Sequence, residues 1–488
     1  MIDSRRTQAT SGLVFVYFGA RLLLDAIKVC YATRCAVSAQ AQLIMYTSNL
    51  SSILTWKMVI FAFCVLNFTI SLTLVLFASV VALLTAMTYL FWRRMNYWQE
   101  HGIPHDKPSY LYGSFRGLTK LYGFSEIIRS MYQRYKHTGP FCGYYFFQRP
   151  AVMVLDTELV KNILIKDFSN FSDRGLFHNE KDDPLTGHLF FVDGKKWHVL
   201  HGKLSSTFTE RKVRGMFPCV RDIAQQMIST LDQLIERNQN VEVKELMGRY
   251  TTDVIGKCAL GIECNSLANP NAECRAIGRR IFTDRRHGLL VSGLIQGFPQ
   301  LAQKLHMATI HPDIEKFFMR LVRENVEYRE KYNVHGNDFM ELLMELNKGG
   351  KLRYDKNDEF KGLTVEEMTA QAFFFFAAGS EKSSSTLSFT LYELAMQSEL
   401  QDRLRCEINE TLCQHDNELC FESLNEMTYM KQVIAGMYLL IGFAIKYEIV
   451  YISQKLYVST RYYHIWRVKL CTIMSYPAIQ STLYRLAH

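Results

Sequence analysis

Ala378-Gly379-Ser380-Glu381 breaks a run of larger apolar side chains, Ala372-Phe373-Phe374-Phe375-Phe376-Ala377, with small residues, then a carboxylate, then the cation Lys382. A glycine in mid-helix costs about 1 kcal/mol relative to alanine, so its presence calls for a spatial reason, a close approach to the backbone. Glu381 can accept a proton or pair with a cation, whereas Lys382 offers donors and no acceptor. Thiol chemistry is less promising. The 12 cysteines include no C-x-x-C pair and the closest spacing is Cys30 to Cys35, so neither a zinc site nor a disulfide framework is expected. Cys406, Cys413 and Cys420 recur every seven residues, which predicts buried packing on one helical face.

The small-residue notch needs a long helix to hold it. Thr364-Val365-Glu366-Glu367 reads as a capping box, in which hydroxyl and carboxylate each satisfy an orphan backbone N–H. No proline occurs between Pro312 and Pro477, so a helix is predicted from Leu363 to about Gln397. At about 1.5 Å per residue it would span roughly 50 Å, enough to cross a whole domain. Its centre is apolar all round, as in a helix buried on every side. The remaining pattern from about Pro108 to Tyr429 is mostly helical, with strand-like pieces at 144–147 and 151–155. The fold class is therefore mainly α with a small β-sheet.

With 48% hydrophobic and 21% charged residues in 488, the chain can bury one large core and carry appendages. The net charge of +9 suits an anionic membrane surface or an acidic protein partner, and no basic repeat points to nucleic acid. Residues 58–92 contain no charge and exceed the roughly 20 residues that cross a bilayer, so a transmembrane anchor is expected there, bordered by Arg93-Arg94. Residues 93–107 read as a turn-rich linker, 108–434 as the domain and 435–488 as a tail of different composition. The six basic residues before Met58 blur the charge asymmetry expected of an anchor, and 1–57 are expected to be an atypical extension from an upstream start.

Further blocks carry a resemblance: Asn179-Glu180-Lys181-Asp182-Asp183-Pro184-Leu185, Asp193-Gly194-Lys195-Lys196-Trp197, Leu204-Ser205-Ser206-Thr207-Phe208-Thr209, Thr251-Thr252-Asp253-Val254-Ile255-Gly256 and Glu426-Met427-Thr428-Tyr429. Together with the Ala-Gly-Ser-Glu segment, and in this order, they resemble microsomal cytochrome P-450 enzymes of the insect detoxification type over about 89–434. The resemblance implies a haem-thiolate monooxygenase that oxidises lipophilic substrates with O2 and electrons from an NADPH-dependent reductase, in the endoplasmic reticulum membrane with its catalytic part cytosolic. It implies that Ala378 and Gly379 line the oxygen pocket, that Glu381 is the family's acid and that Lys382 stands where a proton-relaying threonine is usual. Arg174, Trp197 and His201, the last at a usual arginine position, would hold the haem propionates. Phe190, Phe191 and Phe375 would line the substrate pocket, and Lys195, Lys196 and Lys203 would dock the reductase.

The expected continuation fails after Ile434. The Glu and Arg of the family's E-x-x-R helix fall on Gly436 and Leu439, and the only later cysteine, Cys471, has no glycine or arginine pattern around it. No metal ligand is therefore assigned, haem binding is doubtful, and an incomplete, inactive fold behind an N-terminal anchor is expected. Ala435-Gly436-Met437-Tyr438 can be encoded by a string resembling a splice donor, so a retained intron is the expected origin of the tail. The alternative reading is a non-catalytic, membrane-anchored protein that binds apolar ligands. The anchor is tested by carbonate extraction: the full chain is expected to stay in the membrane with Asn170 and Asn409 unglycosylated. Equal retention after deletion of 58–92 would refute the single anchor.

Overall fold

The computed structural model describes residues 50–110, 112–116, 123–237, 241–336, 338–348, 362–444 and 457–458. They fall into two units, Met1–Gly102 and Ile103–His488. In the first, α1 (Leu50–Met95) is one helix of 46 residues, of which Met58–Met95 is long and apolar enough to cross a membrane. A further turn, α2 (Tyr97–Glu100), occupies part of the stretch expected to be linker. The break comes at Gly102, whose φ of +67° is left-handed. Residues 1–49 of the expected extension lie outside the described residues.

The second unit is mainly α. Its helices are α3 (Phe124–Tyr135), α4 (Thr157–Lys161), α5 (Gly194–Leu204), α6 (Glu210–Glu236), α7 (Val243–Ile255), α8 (Glu273–Thr283), α9 (Leu289–Gly297), α10 (Pro299–Lys304), α11 (Pro312–Tyr332) and α12 (Phe339–Asn347). They continue as α13 (Val365–Met396), α14 (Ser398–Gln414), α15 (Phe421–Glu426) and α16 (Thr428–Ala444). Two strands form a hairpin, β1 (Phe141–Phe146) and β2 (Arg149–Val154), antiparallel with Phe141 opposite Val154. The turn is Phe147-Gln148, with Phe147 at φ 53°, which is why the strand ends one residue earlier than its aromatic run suggests. A second pair joins β3 (Val241–Glu242) to β4 (Tyr457–Val458).

The long helix is where the capping box placed it. Thr364 Oγ1 accepts from the Glu367 amide at 3.2 Å and the Glu367 carboxylate accepts from the Thr364 amide at 3.1 Å. The N-terminal half of α13 is enclosed by a core that includes Phe318 of α11, Phe339 of α12 and Trp197 and Leu200 of α5. Its later part meets α7 through Leu387, and Leu394 joins a separate cluster with α14, α15 and α16.

Contact with α7 is close because the notch faces it. A Cβ built on Gly379 would lie 2.5 Å from Ile255 Cδ1, and the buried Thr251 hydroxyl donates to the Ser380 carbonyl at 2.9 Å. The block containing Thr251 therefore acts by gripping α13. Asp253, in the same block, accepts the amides of Ser266 and Leu267 at 2.7 and 2.9 Å and so fixes the chain that follows α7.

One expectation changes. Cys406 and Cys413 are exposed on α14, and Cys420 lies beyond that helix, so the seven-residue spacing is not a buried face. The last helix, α16, runs through 434 to Ala444, with Ile434 and Met437 both buried. Of the later tail only 457–458 are described.

Overpacking a fitted contact costs about 1–3 kcal/mol. Gly379→Val is thus expected to lower amide hydrogen-exchange protection in α7 and α13 by roughly tenfold, and Ile255→Ala on that background to recover part of it. Unchanged protection in the single variant would show that the contact does not hold the two helices.

Candidate functional site

The chain between 172 and 201 is folded into a cradle by reciprocal carboxylate caps. Asp193 Oδ1 accepts from the Arg174 and Gly175 amides at 3.0 and 3.4 Å, while Asp173 Oδ1 accepts from the Gly194 amide at 2.8 Å. Gly175 and Gly194 both have φ near +61°, where a side chain is strained, so the crossing of these two turns depends on glycine. The result places the Arg174 guanidinium 4.9 Å over the Phe190 ring and 6.0 Å from the Trp197 ring. His201, one turn along α5, stacks on Trp197 at 4.9 Å and 21°. The three residues expected to hold an anionic group are brought together.

Electrostatics favour an anion there. Burial pushes the Arg174 pKa down, with Asp193 acting in the opposite direction, so a further carboxylate would compensate a partly desolvated cation. The Trp197 indole N–H is buried with no acceptor among the described residues, a donor that ordinarily finds a partner. Both residues fit a haem propionate, and the His201 ring would flank it.

Phe190 continues from the cradle to α13. Its ring stacks on Phe374 at 6.0 Å, and Phe374 stacks on His188 at 4.9 Å and 11°. His188 also meets Phe191 at 4.5 Å. This aromatic wall holds Phe190 and Phe191 of the expected pocket residues, Phe374 from the phenylalanine run that suggested an aromatic pocket, and His188, which sequence reasoning missed. Phe375 faces elsewhere: it lies 4.0 Å from Phe339 and 5.5 Å from Phe208, inside the packed core. The loop bearing His188 is fastened by Gln371, fully buried, which donates to the Gly187 carbonyl at 3.1 Å and accepts from the Leu189 amide at 2.9 Å.

On α13, Phe374, Ala378, Glu381 and Ser385 are half-buried and Lys382 is exposed, so the 3–4 spacing forms one stripe. Gly379 is off that stripe, against Ile255. Glu381 pairs with Lys244 at 2.8 Å, and the same ammonium donates to Ser385 Oγ at 2.6 Å and Ser384 Oγ at 3.1 Å. Burial lowers the Lys244 pKa and Glu381 opposes that shift.

The cations expected to dock a redox partner are divided. Lys195 is exposed, Lys196 is tied to Glu180 and, at 2.8 Å, to Glu367, and Lys203 is buried, with its pKa lowered to about 8 by desolvation. At the other end of α13, Glu393, Leu394, Tyr429, Val433 and Gly436 border an open groove of about 220 Å³. A Cβ at Gly436 would meet nothing within 4 Å, so there is room for the side chain the motif lacks. No group of ligating side chains able to hold a metal occurs among the described residues, and Cys471 lies outside them.

These elements define a mainly α domain with a small sheet, organised on one long buried helix, and a separate apolar N-terminal helix compatible with a membrane anchor. The family model described as Cytochrome P450 matches residues 104–436. "Cytochrome P450 6a2" of Drosophila melanogaster is 45% identical over 365 residues, covering 74% of this chain and 72% of the relative. "Probable cytochrome P450 6a21" of the same organism is 48% identical over 357 residues, covering 72% and 71%. "Cytochrome P450 6A1" of Musca domestica is 42% identical over 360 residues, covering 74% and 70%. The chain belongs to the cytochrome P450 family, and its likeness to insect members bears out the resemblance read from the motifs. Membership carries the general chemistry of a haem monooxygenase supplied with electrons by a redox partner.

The pKa of His188 is lowered from 6.5 to about 3 by burial. Between those values the unfolded chain binds more protons, so the stabilising neutral state is fully available above about pH 6.5 and is lost as pH falls toward 3. Exchange protection of residues 187–191, corrected for intrinsic rates, is therefore expected to fall from pH 7 to pH 5 in the native sequence. His188→Gln, which keeps an acceptor for the Phe190 amide but cannot titrate, is expected to flatten that dependence. A dependence equal in both would remove His188 as its cause.

Proposed function

We propose that the chain derives from a haem-thiolate monooxygenase of the insect detoxification type, oxidising lipophilic xenobiotics or endogenous lipids, and that the chain as given does not turn over. Residues 58–92 anchor it in the endoplasmic reticulum membrane, 93–107 connect, 108–434 form the domain on the cytosolic side, and 1–57 and 435–488 are sequence foreign to it. The observation that carries this reading is the replacement after Ile434: Gly436 and Leu439 stand where an ion pair is expected, and Cys471 has no supporting loop.

When bound, haem supplies the oxygen-activating chemistry. The residues that would hold its propionates are Arg174, Trp197 and His201. The wall of Phe190, Phe191 and Phe374 would exclude water and offer an apolar substrate its contact surface, and neutral His188 adds one polar group to fix its orientation. Ala378 would lie along the oxygen-side stripe. Glu381, neutralised by Lys244, would set the charge beside it, and Lys382 cannot relay a proton as a hydroxyl does because it has no acceptor. Electrons would come from an NADPH-dependent reductase, with Lys195 the exposed member of the expected docking set.

The test is the reduced carbon monoxide spectrum of the purified chain with its haem content. No thiolate-type Soret band is expected, and a stoichiometric one would overturn the reading by restoring Cys471 or another thiol as ligand. A second reading, a membrane-anchored protein that binds apolar ligands, is favoured by the intact aromatic wall around His188. A partly molten chain that binds a hydrophobic dye is expected under the first reading. A cooperative melt in detergent with low dye binding would favour the second.

A further inference from the structure

The segment after α14 holds a thiol in a setting that packing does not require. Asp416 and Asn417 both adopt left-handed φ, 54° and 59°, and reverse the chain immediately after His415. The reversal is closed by the Asn417 amide donating to Leu412 O at 2.9 Å and the Glu418 amide donating to His415 O at 2.8 Å. It returns Cys420 to His415, with Sγ 3.7 Å from Nδ1. On the other side of the ring, His415 Nε2 donates to Glu426 Oε2 at 2.8 Å, which fixes the tautomer and leaves Nδ1 as the acceptor in neutral imidazole. The Ser423 amide donates to the sulfur at 3.3 Å. A thiol acting only as a helix cap would need that amide alone. The imidazole and carboxylate add a proton acceptor and the group that orients it, the arrangement of an activated nucleophile.

We propose that Cys420 is a reactive thiol, with His415 as its general base and Glu426 as the residue that positions His415, and that it is modified by uncharged soft electrophiles such as α,β-unsaturated carbonyls. As the Sγ–C bond forms at the β-carbon, the thiol proton passes to His415 Nδ1. The displaced π pair moves toward the carbonyl oxygen, and the resulting enolate takes a proton back from the imidazolium, so no oxidant or reductant is needed. The class of electrophile follows from the surroundings. Asp416, Glu418, Glu422 and Glu426 cluster in this segment, and the nearby cation Arg214, 4.7 Å over the Phe421 ring, is already paired with Glu422. The excess of negative charge disfavours an anionic reagent. Cys420 is half-buried, while Cys406 and Cys413 on α14 are exposed and serve as internal references.

The experiment treats the full chain in detergent with limiting N-ethylmaleimide and follows alkylation of each cysteine by peptide mapping. Cys420 is expected to react on the order of tenfold faster than Cys406 and Cys413 despite its lower exposure. His415→Gln is expected to bring it to their rate or below while leaving theirs unchanged, with the buried Cys142 and Cys264 still unreactive, which reports an intact fold. Iodoacetate is expected to favour Cys420 less than iodoacetamide does. A Cys420 rate no higher than the two references in the unaltered chain, a rate indifferent to His415→Gln, or an equal preference for the anionic reagent would overturn the proposal.

Discussion

The second unit depends on how closely α7 lies against α13. A side chain can lie against a helix backbone only where that helix lacks one, and Gly379 supplies that place for the Ile255 side chain, while the Thr251 hydroxyl adds a hydrogen bond to the carbonyl beside it. A small residue in a helix core weakens the helix by itself. It is retained here within a contact that both buries Ile255 and sets the rotation of α13. That rotation decides which residues form the half-buried stripe and which enter the core.

Rotation explains why four successive phenylalanines have separate roles. At about 100° per residue, Phe373, Phe374, Phe375 and Phe376 point in different directions. Phe373 and Phe376 meet Phe318, Phe375 meets Phe339 and Phe208, and Phe374 stacks on both His188 and Phe190, with Phe373 touching His188 at an angle. The aromatic wall therefore continues the fold directly, and it joins the cradle at 172–201 through the contact of Arg174 with Phe190.

Much of the frame was legible in the sequence because it is written in local signals. The capping box at Thr364, the absence of proline and the apolar run together place α13 correctly, and the aromatic run at 144–147 and the apolar run at 151–155 mark the two strands, though not their pairing. The cradle was legible through the motif around Trp197. What could not be read were relations across many residues: that Gly379 faces Ile255, that Phe375 turns inward while Phe374 turns to the pocket, and that Lys196 is bound by Glu180 and Glu367. His188 gave no signal because a histidine among phenylalanines has no period of its own. Cys420 was misread for a related reason, since a seven-residue spacing implies a common face only while the helix continues, and α14 ends at Gln414.

The 46 residues of α1 form one uninterrupted helix. Its uncharged stretch, 58–92, would be roughly 52 Å long at about 1.5 Å per residue, well beyond a hydrocarbon thickness of about 30 Å. A rod of this length in a bilayer meets hydrophobic mismatch: it tilts, or leaves apolar turns in the headgroup layer. Each costs fractions of a kcal/mol per Å, and a thicker membrane lowers the cost. An apolar helix of this length, placed in a bilayer, would therefore favour a thicker membrane over a thinner one, independent of anything the haem-type domain does.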